Sequence, residues 1–481
     1  MNAEDIFDGV TDIRDDLING AKETPKKQRY WAKRRWTGAV AAVLAIAILV
    51  GIFLRPGGAL SAYAIAEAKY PRMAPYPSDL AQLLGGSAHD KWWEGIKAQR
   101  RDLGDTSALQ AFFAQSAEVF LSGAEGRNRV YSPLNVYMAL AMLAQLTGGE
   151  SRAQILTVLG SESMDALRRQ ANDVWNANYR DDGALTSVLA SSLWLNRDVK
   201  FNRDTMDTLA RDFYASSYRG EMGSERFDKA LQSWLNEQTG GLLEEQAGNV
   251  SLEPETILAL AATVYYKAKW SSEFSREKTA LDTFHTPSGD VEADFMHKRI
   301  SETYFWGDKF AAVAQHFESG GAGSMWFVLP DEGVTPEELL SDAEAMDFLF
   351  AINKYEWENK KYIYVNKSIP KFDVASQFDL ADGLQALGIT DVFDPAVSDY
   401  TPMTTDVDAP IILSRADHAA RVVIDEQGCT AAAFTVIANT AGAMPPEDEV
   451  DFVLNRPFLF CITGLSDLPL FVGIVNHPTG G

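Results

Sequence analysis

Three residues that are close in the sequence carry the groups of a hydrolase active site. Ser87, His89 and Asp90 would supply a nucleophile, a general base and a carboxylate for acyl transfer. Folding brings such groups together from distant parts of a chain, so chance better explains this trio. The chain has no Gly-x-Ser-x-Gly, His-Glu-x-x-His, phosphate-loop or Gly-x-Gly-x-x-Gly motif. The sequence therefore predicts that the protein is not an enzyme.

The sequence also lacks the residue patterns that are typical of metal and cofactor sites. The six histidines show no spacing that is typical of metal ligands. Two cysteines are too few for a four-thiolate zinc site, an iron–sulfur cluster or a disulfide framework. We expect neither a metal nor a cofactor.

One segment near the C-terminus is unusual because it lacks charge. Between Glu426 and Glu447 there is no charged residue and no proline before Pro445, although the chain carries a formal net charge of −24. Such a segment can be buried as a β-strand, which would turn alternate side chains into the core. A proline or a charge on the inward face would block that burial.

The alternation within this segment suits such a strand. One face carries only small side chains, namely Cys429, Ala431, Ala433 and Thr435. The other face carries groups that include larger ones, namely Thr430, Ala432, Phe434 and Val436. The segment therefore has the composition of a strand that can enter a sheet.

The overall composition indicates what kind of protein contains this segment. Of 481 residues, 46% are hydrophobic and 23% are charged, which is ordinary for a folded protein and excludes disorder as the main state. The net negative charge argues against nucleic-acid binding, which needs a basic surface. We expect no nucleic-acid partner.

Residues 36–54 form a stretch without charge, WTGAVAAVLAIAILVGIFL. About 19 helical residues can just span the core of a bilayer. Seven lysines and arginines lie between Lys22 and Arg35, and only Arg55 follows closely. By the positive-inside rule the N-terminus is cytoplasmic and the rest of the chain lies outside. The sequence predicts a retained, single-pass membrane anchor.

A cleaved signal peptide and a buried core helix are the competing interpretations. Residues 62–64, Ala-Tyr-Ala, match the rule for a cleavage site. However, about 35 residues precede the apolar stretch, which is itself longer than the apolar part of an ordinary signal peptide. The flanking cluster of positive charge disfavours the core helix.

The anchor divides the chain into parts. Residues 1–35 are predicted to be a cytoplasmic tail with a short acidic amphipathic helix. Residues 55–107 hold Pro- and Gly-rich stretches with few regular elements, which predicts an extracytoplasmic tether. Residues 108–481 show no linker, repeat or change of composition, so we expect one large domain.

Within this domain, helical patterns come first and strand patterns follow. Apolar spacing predicts a helix over residues 108–121, and Ser132 with Pro133 begins another that runs to Gly148. Capping-box spacing from Thr147 opens a third, which stops at Gly160. The strongest strand patterns are residues 188–195, 257–267, 324–329, 422–425, 458–463 and 468–475. This order indicates an α+β domain.

Several of these motifs resemble the serpin family. Residues 128–160 read NRVYSPLNVYMALAMLAQLTGGESRAQILTVLG, and the corresponding serpin helices read very similarly. Further similar motifs are YYKAKWSSEF (265–274), FVLP (327–330), IPKFD (369–373), LGITDVF (387–393) and RPFLF (456–460). Because they follow family order and spacing over about residues 108–478, the chain is identified as a member of the serpins.

The resemblance implies a serpin fold with three β-sheets, about nine helices and an exposed reactive-centre loop. It implies a serine-type endopeptidase inhibitor that acts as a suicide substrate. The protease attacks the loop and forms an acyl-enzyme, and the freed loop inserts into the large sheet and deforms the protease active site. We expect a monomer whose partners are serine proteases, with papain-like cysteine proteases not excluded.

The hinge at the start of this loop resembles the inhibitory pattern. Its residues are Glu426, Gly428, Cys429, Thr430, Ala431, Ala432 and Ala433. The family usually has threonine or serine where Cys429 stands, and glutamate where Thr430 stands. Neither change adds bulk to the inward face, so we expect inhibition to be retained. The alternative is a non-inhibitory, membrane-tethered serpin that acts as a binding or structural protein.

Counting from the hinge at the family's interval places the scissile bond at Gly442–Ala443. Counting back from Phe452 shifts it by about one residue, so Ala441 also remains a candidate. The surrounding residues are small and uncharged. This excludes trypsin-like proteases as targets and favours elastase-like or subtilisin-like ones.

The resemblance also assigns the residues that let the sheet open. Ser132 and His418 would lie in the shutter beneath the sheet, and Trp270 would lie in the breach, where the loop first enters. Asn135 stands in place of the family's second shutter serine, and Ala262 in place of its strand asparagine. We expect Asn135 to replace part of the lost hydrogen bonding to His418.

Two expectations follow for the cysteines and for location. Cys429 and Cys461 should be two buried thiols, because a disulfide at Cys429 would hold the hinge that must move. The low cysteine count and the anchor suggest a bacterial envelope, with the domain on the extracellular side of the cell membrane.

Overall fold

The computed structural model describes residues 60–77, 86–318, 323–407, 410–413, 416–429 and 446–479. The predicted membrane anchor, residues 36–54, lies outside these ranges. Within them, no helix is both long and apolar enough to cross a bilayer.

The helices and strands of the described ranges are as follows. The eleven α-helices are α1 (Ser87–Gln99), α2 (Ser107–Leu121), α3 (Pro133–Leu146), α4 (Gly149–Val158), α5 (Met164–Asn178), α6 (Arg203–Asp212), α7 (Glu225–Gln238), α8 (Glu244–Gly248), α9 (Pro336–Leu340), α10 (Ala343–Phe350) and α11 (Ala381–Ala386). The strands of the first half are β1 (Ala64–Ala66), β2 (Arg129–Tyr131), β3 (Arg180–Asp181), β4 (Thr186–Asn196), β5 (Ala215–Gly220), β6 (Leu258–Lys269), β7 (Ala280–Thr286), β8 (Gly289–Trp306) and β9 (Phe310–His316). The later strands are β10 (Ser324–Pro330), β11 (Lys360–Pro370), β12 (Phe372–Asp379), β13 (Asp417–Ile424), β14 (Gly428–Cys429), β15 (Glu449–Val453), β16 (Phe458–Thr463) and β17 (Pro469–Val475).

These strands form two hydrogen-bonded sheets. Sheet I has the order β1-β5-β4-β6-β14-β13-β12, with β3 paired to β4. Sheet II has the order β15-β11-β8-β9-β10-β16-β17-β2, with β7 paired to β8. Helix α3 contacts both β6 and β17 and is buried along nearly its whole length, as its apolar sequence requires. The core therefore lies between the sheets around α3.

The architecture confirms the α+β class, but the numbers of sheets and helices differ from those we expected. We expected three sheets, but the described strands form two, because two of the expected sheets are joined into one. The 18-residue strand β8 pairs with β7 and β11 along most of its length and with β9 at its end. We expected about nine helices, and the described ranges hold eleven because short helices such as α8 and α9 were not predicted.

The strongest sequence patterns became elements at the predicted places. The predicted helix 108–121 is α2, and the strands predicted at 188–195, 257–267 and 458–463 are β4, β6 and β16. Ser132 is the N-cap residue of α3 and Pro133 is its first residue, as predicted, whereas the N-cap of α4 is Gly148 and not Thr147. Neither hydroxyl caps a helix. The Ser132 hydroxyl donates to the Leu470 carbonyl at 2.6 Å, and the Thr147 hydroxyl donates to the Leu143 carbonyl at 2.9 Å.

The segment predicted as a tether is part of the domain wherever the structure describes it. One compact unit spans residues 60–481. We call residues 60–77 the N-terminal strap. Its strand β1 pairs with the edge strand β5, and the Tyr63 ring lies 5.1 Å from the Phe227 ring of α7. The Tyr70 ring lies 5.1 Å from the Trp175 ring of α5.

Helix α1, which follows the strap, is also anchored. Trp92 is buried, and its indole N–H donates to a carboxylate oxygen of Asp182 at 3.0 Å. The same carboxylate pairs with buried Arg180 at 2.7 Å. These aromatic contacts join residues far apart in the sequence, which a local pattern cannot reveal.

Candidate functional site

Sheet I is incomplete between β6 and β13. Among the described residues, these two strands are joined through β14, whose Cys429 stands opposite Ala268 on one side and Ile424 on the other. Towards Leu258, the described parts of β6 and β13 have no pairing with each other. We call this interval the seam.

The register of β6 shows which of its backbone groups face the seam. The Asn196 N–H donates to the Ile257 carbonyl, so this pair exchanges hydrogen bonds across β4 and β6. In an antiparallel ladder, hydrogen-bonded and non-hydrogen-bonded pairs alternate. The even-numbered residues of β6, from Leu258 to Ala268, therefore turn their N–H and C=O groups towards the seam. Such groups are ready to pair with another strand.

A cavity of about 350 Å³ runs along this edge of β6. Its walls include Leu235 of α7, Leu243, Ala261 of β6 and Ala419 of β13. Thr263 also lines it, and its hydroxyl is buried without a hydrogen-bond partner. The seam therefore has space on the side of α7.

The hinge enters the sheet through a tight turn. The Asp425 carboxylate accepts hydrogen bonds from the N–H groups of Gln427 and Gly428 at 2.8 and 3.1 Å. A Cβ atom at Gly428 would lie 2.3 Å from the Ala268 carbonyl oxygen, so only glycine fits here. The next side chain, Cys429, is 3% exposed and packs in the main core. The structure thus places the Cys429 side of the hinge inward.

Trp270 lies next to the end of β6, where β14 joins the seam. It is 2% exposed and its ring stacks on the Phe317 ring at 4.9 Å. Its indole N–H donates to the Asp425 carbonyl at 2.8 Å, and its backbone N–H donates to the Gln427 carbonyl at 3.0 Å. Trp270 therefore holds the turn that leads into β14.

Glu426 fixes the same turn from the other side. Its carboxylate accepts from the Thr279 hydroxyl at 2.9 Å and lies 3.4 Å from the Lys371 ammonium. Burial raises the pKa of Glu426, but the hydrogen bonds and the Lys371 charge outweigh burial and the net shift is downward. The carboxylate is therefore charged at neutral pH and attached to the body of the domain.

The structure brings Ser132 and His418 into contact with each other. The Ser132 backbone N–H donates to His418 Nε2 at 3.2 Å, so the imidazole accepts at this atom. The His418 ring lies between the rings of Tyr131 and Phe378, at 5.3 Å from each. Burial lowers the pKa of His418 to about 4. The imidazole is therefore neutral under ordinary conditions.

Asn135 makes a different contact from the one we expected. Its amide donates to the Ala262 carbonyl at 3.1 Å, and not to His418. Ala262 belongs to the even-numbered set, so this carbonyl faces the seam. The expectation failed because the Asn135 side chain reaches the strand edge itself. It occupies the acceptor that an entering strand would use.

The remaining predicted site residues are not described by the structure. They are Thr430, Ala431, Ala432 and Ala433 of the hinge and Gly442 and Ala443 of the reactive bond. The assignment of the scissile bond stays a prediction. Within the described ranges no group of His, Cys, Asp and Glu could hold a metal ion.

Comparison with known proteins decides the family. The family model described as "Serpin (serine protease inhibitor)" matches residues 108–478, well over half of the chain. The chain is a serpin.

Its serpin relatives come from distant sources. The chain is 27% identical over 386 residues to Serpin-ZXA of Oryza sativa subsp. japonica, covering 77% of this chain and 95% of that protein. It is 28% identical to alpha-1-antitrypsin of Meriones unguiculatus, covering 73% and 85%.

Solved serpin structures share the fold. The native state of the thermophilic serpin tengpin aligns with a TM-score of 0.69 at 22% identity, covering 79% of this chain and 96% of that one. The native stressed conformation of Arabidopsis AtSerpin1 aligns with a TM-score of 0.66 at 24% identity, covering 79% and 99%. Serpins are typically inhibitors of serine proteases, and this one is accordingly not classed as an enzyme.

Sequence reasoning missed two residues that fix the hinge of this serpin. Lys371 directly precedes β12, and Thr279 directly precedes β7. Both side chains bind the Glu426 carboxylate. Lys371 lies in the IPKFD motif, which signalled the family but not this contact. Thr279 carried no signal, because only the fold brings it to the hinge.

Proposed function

We propose that this serpin inhibits serine proteases of elastase-like or subtilisin-like specificity as a suicide substrate. The observation that supports the proposal is the seam. Strands β6 and β13 are held apart at one end by Gly428–Cys429, and the seam-facing edge of β6 can accept a further strand. After Cys429, the next three alternate positions carry the small residues Ala431, Ala433 and Thr435.

The proposed reaction uses the catalytic groups of the target. The protease serine attacks the carbonyl carbon at Gly442 or its neighbour, the peptide bond breaks, and the amine leaves on the following residue. The carbonyl carbon of the cleaved residue is then bonded to the serine oxygen as an ester, so the protease stays attached to the end of the loop. The cleaved loop is free to enter the seam from Thr430 onward. Insertion carries the protease away and deforms its oxyanion hole, so water cannot complete the hydrolysis.

We further propose that residues 36–54 retain this serpin in a cell membrane. The uncharged stretch and the positive charges before it favour a cytoplasmic N-terminus and an extracellular domain. A bacterial envelope fits this arrangement. Epitope tags at the two termini, probed on intact and permeabilised cells, test the orientation.

The decisive experiment incubates the full-length chain in detergent with pancreatic elastase, subtilisin, trypsin and papain. A denaturant-resistant complex with elastase or subtilisin, and a released peptide that starts near Ala443, is the expected result. Cleavage within residues 430–445 without a complex would contradict inhibition and favour the non-inhibitory alternative. Mass spectrometry of the peptide fixes the scissile bond.

A further inference from the structure

The cavity beside the seam lies between helix α7 and strand β6, and its volume is about 350 Å³. Most of the residues that line it are apolar, among them Leu231, Leu235, Ala247, Leu252, Ala259 and Ala261. Pockets that bind small molecules have volumes of about 300 to 1,000 Å³ and walls that are mainly apolar. The cavity therefore has the size and the lining of a small-molecule site.

Short side chains on β6 create this space. Ala259, Ala261 and Thr263 are alternate residues of the strand, so they share one face. This face is the one covered by α7, because Ala259 and Ala261 pack against the cluster that contains Phe227 and Leu231. Both alanines are only half-buried, although β6 lies in the middle of sheet I. The helix and the strand therefore leave a gap that their own side chains do not fill.

Thr263 places a hydroxyl in the wall of this gap. The residue is 5% exposed, and its hydroxyl is buried without a hydrogen-bond partner among the residues that the structure describes. A buried polar group without a partner destabilises a folded protein, and most such groups are paired. A hydroxyl can donate one hydrogen bond. The Thr263 hydroxyl can therefore bind an acceptor oxygen on a molecule in the cavity.

The charge of the lining restricts the ligand further. Among the described residues that line the cavity none is Lys, Arg or His, and the one charged residue is Glu253, which is exposed. A carboxylate or phosphate in the cavity would lose its water without gaining a counter-charge. A cation would gain little, because an exposed carboxylate such as Glu253 binds it weakly. The lining therefore favours an uncharged ligand.

We propose that this cavity binds an uncharged, mainly apolar small molecule whose carbonyl or ether oxygen accepts a hydrogen bond from the Thr263 hydroxyl. The apolar part of the ligand packs between α7 and β6 and covers the half-buried Ala259 and Ala261. Burial of apolar surface supplies most of the affinity, and the single hydrogen bond fixes the orientation of the ligand.

A ligand at this place competes with strand entry, a consequence that rests on the proposed inhibitory function. Cys429 stands opposite Ala268 in an antiparallel pairing. Continued along the seam, this register brings Phe434 opposite Thr263. Phe434 belongs to the face opposite to that of Cys429, so an inserted strand would turn its ring towards α7 and into the cavity. An occupied cavity therefore slows insertion, and more acyl-enzyme is hydrolysed before it is trapped.

The test is equilibrium dialysis of the full-length protein, in one detergent buffer, against three probes of similar shape. The probe 2-acetylnaphthalene carries a ketone oxygen, 2-ethylnaphthalene has no acceptor, and 2-naphthoate is charged. We expect one molecule of the ketone to bind per protein, more tightly than either of the other probes. Thr263→Val keeps the shape of the side chain and removes the donor. It should weaken binding of the ketone about tenfold and leave binding of 2-ethylnaphthalene unchanged.

Three controls accompany the dialysis. Thr263→Ser keeps the hydroxyl and should bind the ketone as tightly as the wild type. Ala261→Phe fills the gap and should abolish binding of both uncharged probes. Thr263→Val should unfold at a higher denaturant concentration than the wild type, because it removes a buried hydroxyl without a partner. With elastase or subtilisin, the ketone should raise the stoichiometry of inhibition more for the wild type than for Thr263→Val.

The outcomes separate this proposal from the proposed function. No saturable binding of the ketone, or equal affinities of the wild type and Thr263→Val for it, would overturn the site. Binding of 2-naphthoate as tight as that of the ketone would overturn the uncharged class of ligand. Binding of the ketone at an unchanged stoichiometry of inhibition would overturn the competition with the loop. If no protease forms a covalent complex but the ketone still binds through Thr263, the inhibitory function fails and the site stands.

Discussion

Sheet I has two boundaries that the molecule treats in opposite ways. Its outer edge at β5 is covered by the strap, where β1 pairs with β5 and the Arg219 N–H donates to the Tyr63 carbonyl at 2.7 Å. Its inner seam between β6 and β13 is bridged in the described residues only by β14. The outer edge is therefore covered, whereas the seam can still accept a strand.

The difference shows how a sheet can be protected and reactive at once. An uncovered outer edge would invite pairing with other chains, and the strap covers part of it with residues of the same molecule. The seam is protected differently, by Asn135 on a backbone acceptor and by a hinge fixed through Glu426 and Trp270. These few contacts can be exchanged one by one as a strand enters.

The largest expected effect comes from placing a charge where the seam must close. Ala431→Arg puts a guanidinium on the inward side that Cys429 defines, and burying an unpaired charge costs several kcal/mol. We expect the variant to be cleaved as a substrate with little or no covalent complex. Ala432→Arg, on the other face, is the matched control and should keep most inhibition. Gel quantification of complex against cleaved inhibitor tests this, and equal behaviour of the two variants would contradict the inward assignment.

Acid should lower the free energy of unfolding of the domain through His418. Because burial lowers the pKa of His418 to about 4, the unfolded chain binds more protons than the folded one between about pH 6.5 and pH 4. Its contribution to the free energy of unfolding, on the order of 3 kcal/mol, is complete above pH 6.5 and is lost as the pH falls. Denaturant unfolding at several pH values should show a slope that His418→Asn flattens.

At the covered edge, Tyr70→Ala should lower the free energy of unfolding by about 2 kcal/mol, because Tyr70 loses its contacts with the rings of Trp175, Tyr179 and Tyr214. The stoichiometry of inhibition should stay unchanged, since the strap does not take part in strand entry. Denaturant unfolding and active-site titration of a protease measure the two quantities. A raised stoichiometry of inhibition would contradict this prediction, because the outer edge would then also take part in strand entry.

Asn135→Ala should have the smallest effect. It removes the hydrogen bond to the Ala262 carbonyl and lowers the free energy of unfolding by about 1 kcal/mol. If this amide protects the seam, loop insertion should become slightly faster, which a fluorophore on the loop would report. Asn135→Leu is the control that keeps a side chain of similar size but removes the donor without adding a charge. Wild-type stability and insertion rate in both variants would show that the Ala262 carbonyl is satisfied without Asn135.

Much of the domain followed from local pattern. The apolar strands β4, β6 and β16 and the helix α2 have periodicities that leave little choice of structure, and the order of serpin motifs specified the rest. The structure brings Ser132 to His418 and Trp270 to the hinge turn. Their assignment to the shutter and the breach stays a prediction.

Two failures concern contacts between distant residues. Residues 55–107 were predicted as a tether from their Pro- and Gly-rich stretches, but Tyr63 and Tyr70 of the strap and Trp92 of α1 pack against the domain. Their partners lie about 90 to 160 residues away, on α5, α7 and the loop after β3. The Asn135 contact was missed for a related reason, since residue type alone does not show which of two nearby acceptors an amide reaches.

The two buried cysteines provide a built-in measure of how often the hinge leaves the sheet. Cys429 lies in the two-residue strand β14, whereas Cys461 lies inside β16 at the centre of sheet II, and no disulfide joins them. A thiol reagent reaches Cys429 when β14 undocks, but it reaches Cys461 only when the core opens. The ratio of the two labelling rates therefore reports the free energy of local opening at the hinge relative to opening of the core.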